Sequence, residues 1–310
     1  MNYKEQQRKK ATELRDGVFK DPGGGHFKKL DRDFVLKDPA LNLWAGIRED
    51  AIDYFLRNKI PFWDSVKEPT GHLLSSQIAC LNHLYFLRQR GDIATSVLKG
   101  VDSKVKTALI MDNGKDSGYV DFEVIGAKNY LGEKLHTRGA NSTSVDALML
   151  AELENGHRKL FFIEWKFVES YTKTSKADGD SGQTRKKTYS PLLSQSDCPI
   201  KNSNIEGLFT EPYYQLMRQT LLAHEMIKAK EYKTDSYIHL HIIPKDNKEL
   251  KEVNTAEGKL IGDKLEDTWK NVLKTPDLYR AIDPGDFLKP ALDCLDCIAL
   301  VTYLKQRYWS

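Results

Sequence analysis

The sequence is poor in the features that mark membrane-spanning, secreted and strongly basic proteins. Its 310 residues include only four cysteines, too few for a disulfide framework at this length, and no apolar run of about 18 residues or more. The first ten residues are polar and charged, so we expect no secretory signal, no membrane association and a cytoplasmic location. Lys and Arg number 47 against 44 Asp and Glu, a balance that by itself gives no indication of a polyanionic ligand.

Several ligand-binding motifs are also missing. The sequence has no glycine-rich phosphate loop of the Walker type, which argues against nucleotide hydrolysis. Cys294 and Cys297 have the spacing of half a zinc site, but no second pair follows, so we expect core packing. His239 and His241 share one face of a short strand, and without a third ligand nearby in sequence we expect them at the strand surface.

The charge that is present is distributed unevenly. Residues 1–30 contain eight Lys or Arg against four Asp or Glu, and residues 171–190 contain five against two, so the remainder is mildly acidic. A basic segment beside an active site can hold a polyanion without making the whole protein basic. Two solvated segments would give the same counts, and both interpretations stay open.

Apolar periodicity predicts an α/β protein. We expect residues 1–40 to form a charged, irregular arm and residues 41–310 a single domain, with a core at about 70–245 and a C-terminal helical extension at 246–310. The connection 171–207 is rich in Ser, Thr, Lys, Gly and Asp, and a connection of that length is usually functional or disordered. The predicted helices are 43–57, 71–89, 212–228 and 287–308, and the predicted strands are 119–125, 144–153, 159–168 and 237–243.

Charged residues interrupt two apolar strands that flank an Asn-Gly turn. Asp146 lies in the first strand; in the second, Glu164 and Lys166 point to one face and Trp165 to the other. Charges in an apolar strand are costly without a partner or a metal. Two carboxylates, water and a phosphate oxygen can hold Mg²⁺, which would activate water and offset charge developing on phosphorus. Lys166 is then placed to position or deprotonate that water, or to stabilise the phosphorus centre.

The hairpin register decides whether these groups meet. A two-residue turn at Asn155 and Gly156 would set Asp146 opposite Trp165, on the wrong face for a shared site. A three-residue loop with Gly156 in a left-handed conformation, or a bulge near Asp146, would set Asp146 opposite Lys166. We expect one of these two arrangements.

An acid on one strand and a Glu-X-Lys triplet on the next resemble the signature of the PD-(D/E)XK nuclease superfamily. Asp146 and Glu164-Trp165-Lys166 match it, with Val145 in place of the proline. The order helix, three strands, helix, strand also matches over about residues 70–245. The resemblance implies an α/β fold with a restriction-endonuclease-like core, a mixed central β-sheet flanked by helices, and helical N- and C-terminal additions.

The resemblance also implies a function and site residues. The activity would be Mg²⁺-dependent DNA endonuclease, related to restriction or defence, with Mn²⁺ as the alternative ion and DNA as the partner; a homodimer is left open. Asp146 and Glu164 would bind the metal, and Lys166 and Gln215 would complete the catalytic set. The expected substrate-binding residues are Gln77, Arg185, Lys186, Lys187 and Arg218.

Other functions fit the same residues. A nuclease-like fold without activity would bind nucleic acid or a protein, although such a module has no need of an intact acid pair and lysine. An RNA-directed or exonucleolytic member would share the metal site. For Gln77 and Gln215, an ordinary half-buried helix position is as good an interpretation as a site role.

Overall fold

A six-stranded mixed β-sheet organises the chain, and helices cover both of its faces. The computed structural model describes residues 1–65, 67–138, 142–171, 175–201, 205–252 and 262–309. The α-helices in these residues are α1 Tyr3–Leu14, α2 Arg48–Asn58, α3 Ser76–Leu84, α4 Gly91–Val101, α5 Gly179–Leu193, α6 Tyr213–Lys228, α7 Lys248–Lys251, α8 Leu265–Val272, α9 Pro284–Phe287 and α10 Ile298–Arg307. The strands are β1 Gly25–Phe27, β2 Leu30–Arg32, β3 Val105–Leu109, β4 Met111–Asp112, β5 Ser117–Gly118, β6 Asp121–Val124, β7 Val145–Leu153, β8 Arg158–Trp165, β9 Ser236–Ile242 and β10 Tyr279–Ile282.

The central sheet has the order β10-β9-β8-β7-β3, and β6 pairs with β7 next to β3. Strands β8, β9 and β10 are mutually parallel, whereas β7 runs antiparallel to β8, β3 and β6. The expected mixed sheet flanked by helices is therefore confirmed. Because β8, β9 and β10 are parallel, their carboxyl ends meet at one edge of the sheet, which is where the Glu-X-Lys triplet lies.

Alternation along the two central strands divides the core into two buried clusters. Ala147 and Met149 of β7 pack with Ile163 of β8 on the face covered by α2, α3, α4 and α10. Leu148 and Phe162, one residue away on each strand, belong to the other cluster, which α5, α6 and α8 cover. Both faces of these strands are therefore buried, so a charged side chain on either of them is removed from bulk water.

Both ends of the chain have more regular structure than their composition predicts. The 1–40 segment contains α1, which begins with a capping box between Asn2 and Glu5 and buries Tyr3 and Ala11. The C-terminal extension contributes strand β10 to the central sheet, so it is not only helical. Its last helix is also shorter than expected, and positions 253–261 and 310 lie outside the described residues.

A buried hydrogen-bond network joins the front of the chain to its end. Arg307 of α10 donates through Nη1 to the backbone carbonyl of Asn42 at 2.6 Å. The Asn82 amide of α3 donates to the same carbonyl and to the hydroxyl of Tyr308, both at 3.0 Å. Its side-chain oxygen accepts from the Trp44 backbone at 2.8 Å. Helix α10 is thus fastened to the layer that contains α3.

Two further expectations about local structure are wrong. The 171–207 connection contains the four-turn helix α5, although only Gly182, Tyr189 and Leu193 of that helix are buried. His239 and His241 are buried rather than at a strand surface, because β9 lies inside the sheet between β8 and β10. Among the described residues, no helix is both long enough and apolar enough to cross a membrane.

Candidate active site

The β7–β8 hairpin sets the geometry of the site. Three residues, 154–156, separate Leu153 from His157, and Gly156 has a φ of +81°. Ala147 pairs with Ile163, and this register continued by one residue aligns Asp146 with Glu164, whose repulsion helps to raise the pKa of Asp146. The expected loop length and Gly156 conformation are confirmed, but the register differs by two residues: Asp146 aligns with Glu164 and not with Lys166.

Glu164 and Lys166 form a buried ion pair. Lys166 Nζ donates to Glu164 Oε1 at 2.6 Å, and the two residues are only 5% and 3% exposed. Burial alone acts to lower the pKa of Lys166, but the attraction of Glu164, and of other anionic groups around it, outweighs burial and raises that pKa well above its ordinary value. Lys166 is therefore an ammonium group at neutral pH in this arrangement.

Two glutamines of α6 complete the hydrogen bonding of Glu164. Gln215 Nε2 donates to Glu164 Oε1 at 2.8 Å, while the Gln215 carbonyl oxygen accepts from Lys166 at 2.7 Å. Gln219 Nε2 donates to Glu164 Oε2 at 2.5 Å and to the Ser144 backbone at 3.0 Å. Gln215 thus lies beside the triplet as expected. Gln219 was not anticipated, although its position one turn further along α6 puts it on the same helix face.

Asp146 lies at the entrance to this cluster. Its Oδ2 accepts a hydrogen bond from the Trp165 backbone N–H at 2.7 Å, and its side chain is half-buried. The pKa of Asp146 is raised well above its ordinary value, first by loss of water and then by repulsion from Glu164 and Glu123. Mutual repulsion among carboxylates is relieved by a bound cation or by a proton.

Glu123 of β6 is a site residue that the sequence interpretation missed. Its neighbours Phe122 and Val124 pair with Ala147 and Val145, which sets Glu123 beside Asp146. Glu123 has a φ of +50°, a conformation that costs a non-glycine residue on the order of 1 kcal/mol. Burial and repulsion from Glu164 raise its pKa. The one available signal was an acid on the strand expected to adjoin the strand of Asp146.

Gln77 contacts Glu123 rather than open solvent. Its Nε2 donates to Glu123 Oε1 at 2.8 Å and to the Pro61 carbonyl at 3.3 Å, while its oxygen accepts from the Trp63 backbone at 2.8 Å. Ser144 donates to the other oxygen of Glu123 at 3.3 Å. Gln77 therefore lies in the site and holds a carboxylate in place; a contact with substrate stays a prediction.

Tyr171, the first residue of the 171–207 connection, packs against Lys166. Its hydroxyl donates to Gln215 Oε1 at 3.0 Å, and Lys166 Nζ lies 5.6 Å from the centre of its ring. A tyrosine in this position excludes water from Lys166 and adds a cation–π contact. No local sequence pattern distinguished Tyr171 from the other polar residues of the connection.

The expected substrate-binding residues divide into two groups. Arg218 and Arg185 both lie over the ring of Tyr214, with guanidinium carbons 5.3 and 6.0 Å from its centre, and both line a cavity of about 460 Å³ between α5 and α6. Arg218 also donates to Thr143 at 2.8 Å and forms an ion pair with Glu133 at 3.3 Å. Lys186 and Lys187 also lie on α5, half-buried and exposed, but do not line that cavity.

The donor set suits a hard divalent cation in its chemistry. Asp146 and Glu164 supply carboxylate oxygens, the ligands that Mg²⁺ prefers, and repulsion from Glu164 adds to burial in raising the pKa of Asp146. Within the parts of the chain that the structure describes, no group of three or more His, Cys, Asp or Glu is arranged to hold a metal ion. Two carboxylates, those of Asp146 and Glu164, are the groups here that suit such an ion, and water and substrate would have to complete its coordination.

The chain was also compared with known proteins. A search of curated proteins and a search of solved structures each gave no match. Residues 3–309 match the model of one family, described as Restriction Endonuclease associating with ARP. The match spans nearly the whole chain and supports a nuclease-related role and an interaction with nucleic acid. This protein thus belongs to the family Restriction Endonuclease associating with ARP.

Proposed function

We propose that this protein is a Mg²⁺-dependent DNA endonuclease of the PD-(D/E)XK type. The observation that carries the proposal is the buried Glu164–Lys166 pair, with Asp146 aligned beside it at the carboxyl edge of the sheet. Holding two opposite charges away from water is costly, and packing alone would favour apolar side chains at these positions. The family match over residues 3–309 supports nucleic acid as the substrate class.

Each residue has a defined part in this mechanism. Asp146 and Glu164 would hold the divalent ion, which when bound supplies an acidic water and neutralises charge on the scissile phosphate. Lys166, as an ammonium group, donates hydrogen bonds to that phosphate or to the attacking water and stabilises negative charge. Gln215 and Gln219 orient Glu164, since both donate to its carboxylate.

Access to the pair requires a local rearrangement. The amide of Gln215 and the ring of Tyr171 lie against Lys166, which leaves little of its ammonium group open to solvent. A phosphate oxygen can replace the Gln215 oxygen as the acceptor from Lys166 with no net loss of hydrogen bonds. We propose that substrate binding makes this exchange, and that Arg185 and Arg218 contact the neighbouring phosphates.

The test is cleavage of circular and linear DNA and of RNA, each with Mg²⁺, with Mn²⁺ and with a chelator. We expect cuts in circular DNA that need the divalent ion. Lys166→Ala is expected to lower the rate by about 100-fold or more, the usual loss when one donor to the developing charge is removed. The matched control is Lys159→Ala, which removes a lysine from the other end of β8, where it pairs with Asp102 at 2.5 Å.

The outcomes separate the candidate functions. Cleavage that is kept in Lys159→Ala and lost in Lys166→Ala, with the fold of that variant retained by circular dichroism, supports the proposal. Equal DNA binding by wild type and Lys166→Ala, with no cleavage by either, would instead indicate a binding module. Cutting of RNA alone, or of linear DNA alone, would assign the site to a ribonuclease or an exonuclease.

A further inference from the structure

A second cavity lies at the end of β8. It has a volume of about 540 Å³ and is lined by Trp165, by residues just after β9 and β10, and by α1, α3 and α10. Lys166 also borders it. The cavity therefore lies at the carboxyl edge of three parallel strands, which is a usual place for ligands in sheets of this kind. It also adjoins the lysine of the proposed active site.

The floor of this cavity is aromatic. The ring of His83 lies 4.5 Å from Trp165, 4.7 Å from Tyr308 and 5.8 Å from Trp309, measured between centres. Trp309 donates to His83 Nε2 at 3.0 Å, and His83 Nδ1 donates to the Ala79 carbonyl at 2.6 Å. Both ring nitrogens of His83 are thus satisfied inside the protein, so they offer no open hydrogen-bonding atom to the cavity, and Trp309 is half-exposed.

The rim carries exposed charges of both signs. Lys289 and Lys305 line the cavity together with Asp246 and Asp286. Within the described residues, none of these four side chains forms an ion pair. An aromatic floor with ammonium groups and carboxylates at its rim fits a ligand that has a planar ring, an anionic group and hydrogen-bond donors.

We propose that this cavity binds one nucleotide displaced from the DNA duplex, with its base on Trp309 and its phosphate at Lys289 and Lys305. The carboxylates of Asp246 and Asp286 would accept from an exocyclic amine, which selects adenine or cytosine over thymine. The volume lies in the range of pockets that enclose a molecule of nucleotide size. The inference rests on the proposed function, because it takes DNA as the substrate.

The test measures binding separately from cleavage. Fluorescence anisotropy with a chelator present compares a fully paired duplex with the same duplex carrying one bulged adenine, cytosine or thymine. We expect the adenine or cytosine bulge to bind about 10-fold more tightly than the paired duplex, as stacking of one base on an aromatic ring allows, and the thymine bulge to gain less. Trp309→Phe should keep this advantage and Trp309→Ala should lose it.

A second variant guards against misfolding of Trp309→Ala. Lys289→Glu combined with Lys305→Glu alters only exposed groups and should also remove the advantage, whereas Lys99→Glu with Lys104→Glu, the same charge change outside the cavity, should keep it. Equal affinity for bulged and paired DNA, or an advantage that survives both cavity variants, overturns the inference even if Mg²⁺-dependent cleavage is found. A preference for bulged DNA, with no cleavage of circular DNA, linear DNA or RNA, would support nucleotide binding in the cavity and refute the proposed endonuclease activity.

Discussion

Replacing Lys166 with methionine is expected to destabilise the protein by about 3–5 kcal/mol, the usual cost of removing one partner from a buried ion pair. The carboxylate of Glu164 would stay buried with the two glutamine donors but without its cation. Asp146 and Glu123, which already repel Glu164, would add to the imbalance. The carboxyl groups of Glu164 and Asp146 would then repel each other without the ammonium group that now offsets their charge.

Replacing the acid of the pair should cost less than replacing the lysine. Glu164→Gln keeps the shape of the side chain and removes one negative charge from the cluster, but it turns one of the two oxygens that accept from Lys166, Gln215 and Gln219 into an amide donor. It therefore relieves the repulsion on Asp146 while Lys166 keeps the Gln215 oxygen as an acceptor. We expect Glu164→Gln to cost about 1–3 kcal/mol, because one buried donor loses its acceptor, and the double variant with Lys166→Met to be more stable than Lys166→Met alone.

Urea unfolding of the two single variants and the double variant measures these differences. If Mg²⁺ binds to the carboxylates, it should stabilise Lys166→Met by about 2–3 kcal/mol at concentrations far above its dissociation constant, and Glu164→Gln by less. Equal destabilisation by the two single variants would refute the reasoning. In an isolated ion pair the loss of either charge costs about the same, whereas in a cluster with excess acid the loss of the lysine costs more.

Two further predictions concern the groups around the pair. His239→Phe should flatten the pH dependence of stability. Burial lowers the pKa of His239 to about 3, so as the pH falls the unfolded chain binds a proton at this histidine before the folded protein does. The wild type should therefore lose about 2 kcal/mol of stability between pH 6.5 and about pH 5 through this residue, and the variant should not. Urea midpoints of both proteins at the two pH values check this, and an equal dependence of stability on pH in wild type and variant would contradict it. Asp146→Asn should raise stability without metal by about 1 kcal/mol and abolish cleavage; lower stability would show that the carboxylates do not repel.

The parts of the fold that depend on strong local patterns could be predicted from the sequence. The core strands alternate or run apolar, and the helices that flank them have apolar stripes, so β7, β8, β9 and α6 lie close to their expected bounds. Helix α5 was missed because it buries so few side chains that no stripe marks it. Strand β10 was missed because it has only four residues and pairs with a strand that precedes it by more than thirty residues.

The site was predictable only where its spacing is local. Glu164 and Lys166 are two residues apart on one strand, so their common face follows from strand geometry, and Gln215 followed from the family resemblance. The place of Glu123 depends on its left-handed φ at the end of β6. The burial of His239 depends on β10 covering the edge of β9. Neither of these can be inferred from neighbouring residues, because each is a consequence of pairing with distant segments.

The hydrogen bond from Arg307 to Asn42 also has a consequence for how the chain is made. The two residues are 265 positions apart. At a synthesis rate of about 5–20 residues per second, Arg307 is therefore added roughly 10–50 s after Asn42. The β7–β8 hairpin closes on itself much earlier. The layer containing α3 must therefore stay incomplete through most of synthesis, with the amide of Asn82 and its apolar neighbours exposed. A chain cut near residue 245, the expected end of the nuclease-like core, would leave that layer incomplete permanently and is expected to aggregate.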